Sequence, residues 1–182
     1  MMSISGRLVA SVGLIVSVSL PVPAAAADPS AKAAGEVVAL MTSRNLDTFA
    51  APDPDGEGRF VAVMLIPGVQ LLVVAAKSTA PAYVEAQLAQ QLYREVYSTL
   101  QSAAVLETKV FFQDMGSDGL RADSNVDIMY EHGTRQTTFD GDWKRQKMSK
   151  SEYEDKLRTA DVAYSRLLSL LTERLRAPVA AK

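Results

Sequence analysis

Apolar residues occur along this chain in two patterns, as unbroken runs and as stripes at helical spacing. The densest run, Phe60 to Ala76, reads FVAVMLI-PG-VQLLVVAA. It carries no charge, and neither half alternates with polar residues. That pattern predicts two strands covered on both faces. Pro67-Gly68 between them suits a type II turn, whose third residue needs positive φ. Such a turn is not the favoured two-residue hairpin connection, so a longer loop is expected.

Two long stripes predict helices. Over residues 80–104, Val84, Leu88, Leu92, Val96 and Leu100 share one side, widened by Ala86, Tyr93 and Tyr97. Gln87, Gln90, Gln91, Arg94, Ser98 and Gln101 make the opposite side, which is polar but almost uncharged. Such a face ordinarily meets water. It is also a candidate protein contact. The second stripe is Tyr153, Leu157, Ala160, Tyr164, Leu168, Leu171 and Leu175. Ser149-Lys150-Ser151-Glu152 before it is a capping box, and Met148 with Tyr153 stands where a hydrophobic staple forms. The helix is expected to end near Arg176, because Pro178 cannot continue it.

Weaker patterns fill the remainder. Residues 28–50 read as helical, with Val37, Leu40 and Met41 at helical spacing and a second turn near Asn45 carrying Leu46 and Phe49. Ala51 to Gly58 reads as a loop rich in Pro, Gly and acids. Lys109 to Met115 reads as a strand and Gly116 to Asn125 as a loop. Val126–Glu131 and Thr134–Phe139 are expected to pair about a two-residue turn, His132-Gly133. That register puts Val126, Ile128, Tyr130, Thr137 and Phe139 on one face.

The element order is therefore α-ββ-α-βββ-α. It predicts an α+β fold, a single sheet of about five mainly antiparallel strands with long helices packed on it. In element order this resembles the roadblock/longin and profilin-like domains. A split-barrel flavin-binding fold is the alternative, in which a pair such as Asp55-Gly56 often precedes a strand. Both are likenesses of topology and carry no activity.

The N-terminus changes the picture of where the protein works. Arg7 is its only charge, Leu8 to Leu20 is apolar apart from serines and Gly13, and Pro21, Pro23 and Ala24–Ala27 follow. This is the order of a secretory signal over residues 1–27. The apolar part falls short of the ~20 residues that span a bilayer. Residues 28–182 are then a single α+β domain, with 28–58 as an N-terminal helical arm and loop. The expected location is the periplasm or the medium, with membrane contact only through the signal before cleavage.

Composition narrows the chemistry. The formal net charge is −2, which argues against nucleic acid as a partner, since phosphate binding needs a dense basic surface. There is no cysteine. That removes thiol catalysis, thiolate zinc sites and iron–sulfur clusters, and packing alone must hold an exported domain together. His132, the single histidine, sits in an expected turn, where a polar exposed residue is ordinary. Asp123-Ser124-Asn125-Val126-Asp127 has the start of a calcium loop, with Asp114 and Asp118 nearby. Positions six and twelve, which should be Gly and Glu, are Ile128 and Thr134, so only weak calcium binding is conceivable. Gly116-Ser117-Asp118-Gly119 lacks the Lys-Ser/Thr of a P-loop. Trp143 and Arg145, among Lys144, Lys147 and Lys150, form a second candidate contact, because Trp and Arg are enriched in binding hot spots. The bland alternative is a Trp half-packed on the last helix with a solvated basic rim.

The stretches FVAVMLIPGVQLLVVAA, YREVYSTLQ, KVFFQDMGSDGL and GTRQTTFDGDW, within residues 59–143, resemble those of a group of small exported bacterial proteins to which no activity is assigned. The resemblance implies an envelope location and one domain, and supplies no catalytic residue, cofactor or substrate. The expectation is an exported, non-enzymatic binding domain whose partner is an envelope protein or an apolar small molecule. Its candidate contact residues are Gln87, Gln91, Arg94, Gln101, Trp143 and Arg145, and no cofactor, metal or catalytic residue is assigned. A split-barrel flavin-binding or hydrolytic enzyme and a weak calcium binder are the alternatives.

Overall fold

A computed structural model describes residues 29–54, 59–78, 106–131 and 136–177. The expected signal over residues 1–27, the expected helix over 80–104 and the expected turn at His132-Gly133 lie outside the described residues. The described elements are α1 (Pro29–Ser43), β1 (Thr48–Pro52), β2 (Arg59–Ile66), β3 (Gln70–Ser78), β4 (Leu106–Met115), β5 (Asp127–Glu131), β6 (Thr137–Phe139) and α2 (Lys150–Arg176). The six strands form one antiparallel sheet in the order β1-β2-β3-β4-β5-β6. This is an α+β fold, as the patterns predict.

The uncharged run forms β2 and β3, joined by Pro67-Gly68-Val69 with Ile66 opposite Gln70. Gly68 has φ +70° and the Val69 amide donates to the Ile66 carbonyl at 3.0 Å. Burial on both faces explains the missing alternation. Val61, Val63, Leu65, Leu71 and Val73 join Phe112, Met129 and Phe139 in a core shared with α1 and α2. Ala62, Met64, Leu72, Val74 and Ala76 form a second buried cluster on the opposite face.

Both helices follow their stripes. The Ser149 hydroxyl accepts from the Glu152 amide at 3.2 Å, and the Glu152 carboxylate accepts from the Ser149 amide at 2.7 Å. Tyr153, Ala160, Tyr164, Leu168, Leu171 and Leu175 are buried. Val37 and Met41 anchor α1 in the same core.

Two expectations need correction. Residues 48–52 are a strand, not a continuation of the helical arm or the start of a loop. Asn45, at φ 53°, ends the helical path, and Phe49 then pairs with Val63 on the sheet edge. A five-residue edge strand is too short to show a period, and pairing to β2 decides its conformation. The β5–β6 register is also shifted by one residue: Asp127 faces Phe139 and Met129 faces Thr137. A shift of one exchanges the faces. Asp127, Met129, Thr137 and Phe139 are buried on the helix side, and Val126 is 39% exposed. A two-residue loop would give the opposite phase to the observed register. The far edge, β6, is closed by a side chain. The Thr138 amide donates to Gln146 Oε1 at 3.0 Å, and Gln146 Nε2 donates back to the Thr138 carbonyl. That pairing mimics a neighbouring strand and blunts the edge.

Candidate functional site

Small side chains leave room where α2 crosses the end of β3 and β4. Ala75 and Ala76 follow Val73 and Val74 in β3, and Ala163 faces them from α2 across the cleft. The sheet is irregular there too. Ala75 pairs with Val110 but Ala76 pairs with Thr108, so Lys109 is an extra residue in β4. A bulge of this kind bends the strand and re-aims its side chains. The result is a cleft of about 500 Å³, walled by Ala75, Ala76, Val110, Val162, Ala163 and Leu167. Thr159, Asp53 and Arg166 supply its polar groups. Asp53 follows β1 and is nearly buried, and the Arg166 guanidinium stands 4.0 Å from its carboxylate. Val162, 59% exposed, lies at the rim. The walls suit an apolar ligand, and the polar groups are few, as in small-molecule sites generally.

A second constellation is polar and closed. Asp114 near the end of β4 and Asp127 at the start of β5 point into the space under α2, at 0% and 1% exposure. Asp114 accepts from the Asp118 amide at 3.1 Å, the Gly119 amide at 3.0 Å and the Tyr164 hydroxyl at 3.1 Å. Asp127 accepts from the amides of Met115 and Arg121, both at 2.7 Å. Burial raises the proton affinity of both carboxyls against the pull of these donors, and lifts Asp127 to about 7. Burial likewise pushes the Tyr164 hydroxyl up, helped by the charge of Asp114. Next to this pair the Leu120 amide donates to Ser30 Oγ at 3.0 Å, and the Ser30 amide donates to Asp161 Oδ1 at 3.3 Å. The loop after β4 is thereby tied to the first turn of α1 and to α2. These carboxylates are structural acceptors for backbone amides.

That geometry decides the acidic motif. Asp127 turns inward, while Asp123 Oδ1 accepts from the Asn125 amide at 2.7 Å. Asp118 pairs with Arg121 at 2.8 Å. Among the described residues no group of three or more His, Cys, Asp and Glu could hold a metal ion. Gly116-Ser117-Asp118-Gly119 is a tight turn with positive φ at Gly116, Ser117 and Gly119, and Gly119 packs directly on the α1 backbone.

Of the candidate contact residues, Trp143 and Arg145 are described. Trp143 is half-buried and packs against the main core, with the Lys144 ammonium 5.1 Å from its ring centre. Arg145 is exposed and pairs with Asp140. Gln87, Gln91, Arg94 and Gln101 lie outside the described residues. Neither Trp143 nor Arg145 is among the described residues that line the cleft. Sequence reasoning missed the cleft because Ala75, Ala76 and Ala163 read as ordinary apolar positions. The one available signal was small residues ending a Val/Leu-rich run. Among the described residues no helix is long and apolar enough to cross a membrane. No family model, curated protein or solved structure matches this chain, so the geometry of the cleft is what a functional reading must rest on.

Proposed function

We propose that this chain is an exported, non-enzymatic domain that binds an apolar small molecule in the cleft between α2 and the β3–β4 end. The observation that carries the reading is the apolar lining of that cleft, with Asp53 and Arg166 together at one side. A cleft of about 500 Å³ falls in the range of drug-sized ligand sites, roughly 300–1,000 Å³. Export rests on the signal-like order of residues 1–27. An envelope-protein partner remains the other form of the same idea, and the cleft favours the small molecule.

The test uses an uncharged fluorescent apolar probe, N-phenyl-1-naphthylamine, titrated into the wild type and Ala163→Trp. Ala163 is exposed, so the larger side chain fills the cleft without entering the core. The wild type should bind and brighten the probe. The variant should bind at least tenfold more weakly with its thermal midpoint unchanged. Equal binding by both proteins, or none by the wild type, would refute the assignment.

A further inference from the structure

Asp114 and Asp127 flank the β4–β5 connection, and between them they hold three of its backbone amides, the amide of Met115 at the end of β4 and one hydroxyl of α2. We propose that this pair is a proton-operated clamp: loop 116–126 is held tightly while the pair carries a proton and loosens when both carboxyls are ionised.

The geometry supports this from every side. The carboxyls are fully buried on one face of the sheet, on adjacent strands, and the charge of Asp114 disfavours ionisation of Asp127. From the loop they face Asp118 and Asp123, both acidic and both disfavouring ionisation, and Arg121, whose guanidinium pairs with Asp118 at 2.8 Å. From α2 they face the Tyr164 hydroxyl, with Tyr153 and the buried Asp161 on the same helix. Beyond Tyr153 lie Asp142 and Arg145 of the segment before α2. From α1 the nearest polar group is Ser30, engaged by Asp161 and Leu120. The groups that favour ionisation are backbone amides and one hydroxyl, none of them a full positive charge.

Protonation need not break the amide bonds. A carboxyl that gains one proton keeps lone pairs on both oxygens, and a tyrosine hydroxyl can turn from donor to acceptor. Ionising both carboxyls leaves two desolvated like charges under α2, and the exposed side of the site is the loop. Moving the loop outward is the way to hydrate them.

The sign of the pH effect follows. Burial raises both carboxyls above their ordinary value of 3.8, Asp127 to about 7. Between roughly pH 4 and 7 the folded chain therefore holds a proton that the unfolded chain has lost. The stability contributed by that proton is present below pH 4, declines as pH rises through this window, and is gone above about 7. At a factor of ten per unit, the folding constant falls by up to roughly 1,000-fold across the window.

The experiment is a carbon-13 titration of labelled aspartate carboxyls in the purified protein, with amide hydrogen exchange at several pH values. One carboxyl should show a midpoint near 7. After correction for the intrinsic rate, the amides of Met115, Asp118, Gly119 and Arg121 should open at least tenfold more at pH 8.5 than at pH 6. Those of Val63 and Val73, in the centre of the sheet, report global unfolding and should stay far more protected than the loop amides at both pH values. Asp127→Asn should abolish the high midpoint and flatten the pH dependence of the loop. If that variant does not fold, the wild-type titration decides alone. All aspartates titrating near 4, or loop opening that is independent of pH from 6 to 8.5, would overturn the proposal.

Discussion

Gly119→Ala tests the junction on which the loop, α1 and the buried acids converge. Gly119 sits at φ +91°, and a Cβ built there meets Ala31 N at 2.5 Å, Ala31 Cα at 2.7 Å and Ser30 Oγ at 2.7 Å. Two of these are backbone atoms of the first turn of α1, so no side-chain rotation relieves them. A side chain in the left-handed region costs about 1–2 kcal/mol, and forcing bulk into a packed site costs about 1–3 kcal/mol. Moving α1 away also strains the Leu120-to-Ser30 hydrogen bond of 3.0 Å, worth about 1 kcal/mol. The expected loss is therefore about 3–6 kcal/mol, against a typical total of about 5–15 kcal/mol. Urea unfolding followed by the fluorescence of Trp143, the chain's one tryptophan, and by circular dichroism measures it. Gly35→Ala is the control. Gly35 is exposed in α1 with nothing within 4 Å of its Cβ, so alanine should be neutral or stabilise by up to about 1 kcal/mol. A loss below 1 kcal/mol for Gly119→Ala, or equal effects at the two glycines, would refute the close approach of the loop to α1.

Three further outcomes are expected. Ser149→Ala removes the acceptor for the Glu152 amide and half of the capping box, and should cost about 0.5–2 kcal/mol in urea unfolding. Tyr164→Phe keeps the ring on Phe112, whose centroid lies 5.1 Å away, but takes one donor from Asp114. It should cost about 1.5–3 kcal/mol at pH 8 and less as pH falls and Asp114, its proton affinity raised by burial, takes up a proton. Leu168→Ala empties a fully buried position of α2 and should cost about 2–5 kcal/mol in the same assay.

The second buried sheet face has a bearing on the cleft. Ala76 belongs to the cluster on that face and also lines the cleft beside Ala75. Successive residues of a regular strand point to opposite faces, and the register between β3 and β4 shifts between these two alanines, with Lys109 the extra residue on the β4 side. That shift links a local backbone defect to the candidate site, which is where bulges tend to occur.

Local rules were enough for much of the architecture. An uncharged Val/Leu run broken by Pro-Gly is a buried hairpin because the break leaves two short segments rich in β-branched residues, which suit strands, and Gly68 supplies the positive φ of the turn. The capping box and the stripe from Tyr153 to Leu175 define α2 because their partners lie three or four residues away. What needed tertiary structure involves distant residues. β1 is a strand because β2 offers an edge. The β5–β6 phase places Asp127, not Val126, in the interior, because a shift of one residue reverses both faces and the amides of Met115 and Arg121 lie waiting there. The acids of the calcium-like motif point to separate tasks once folded. The cleft exists because three alanines from β3 and α2, about ninety residues apart in the chain, meet across a bulge, and spacing along one chain holds no record of such a meeting.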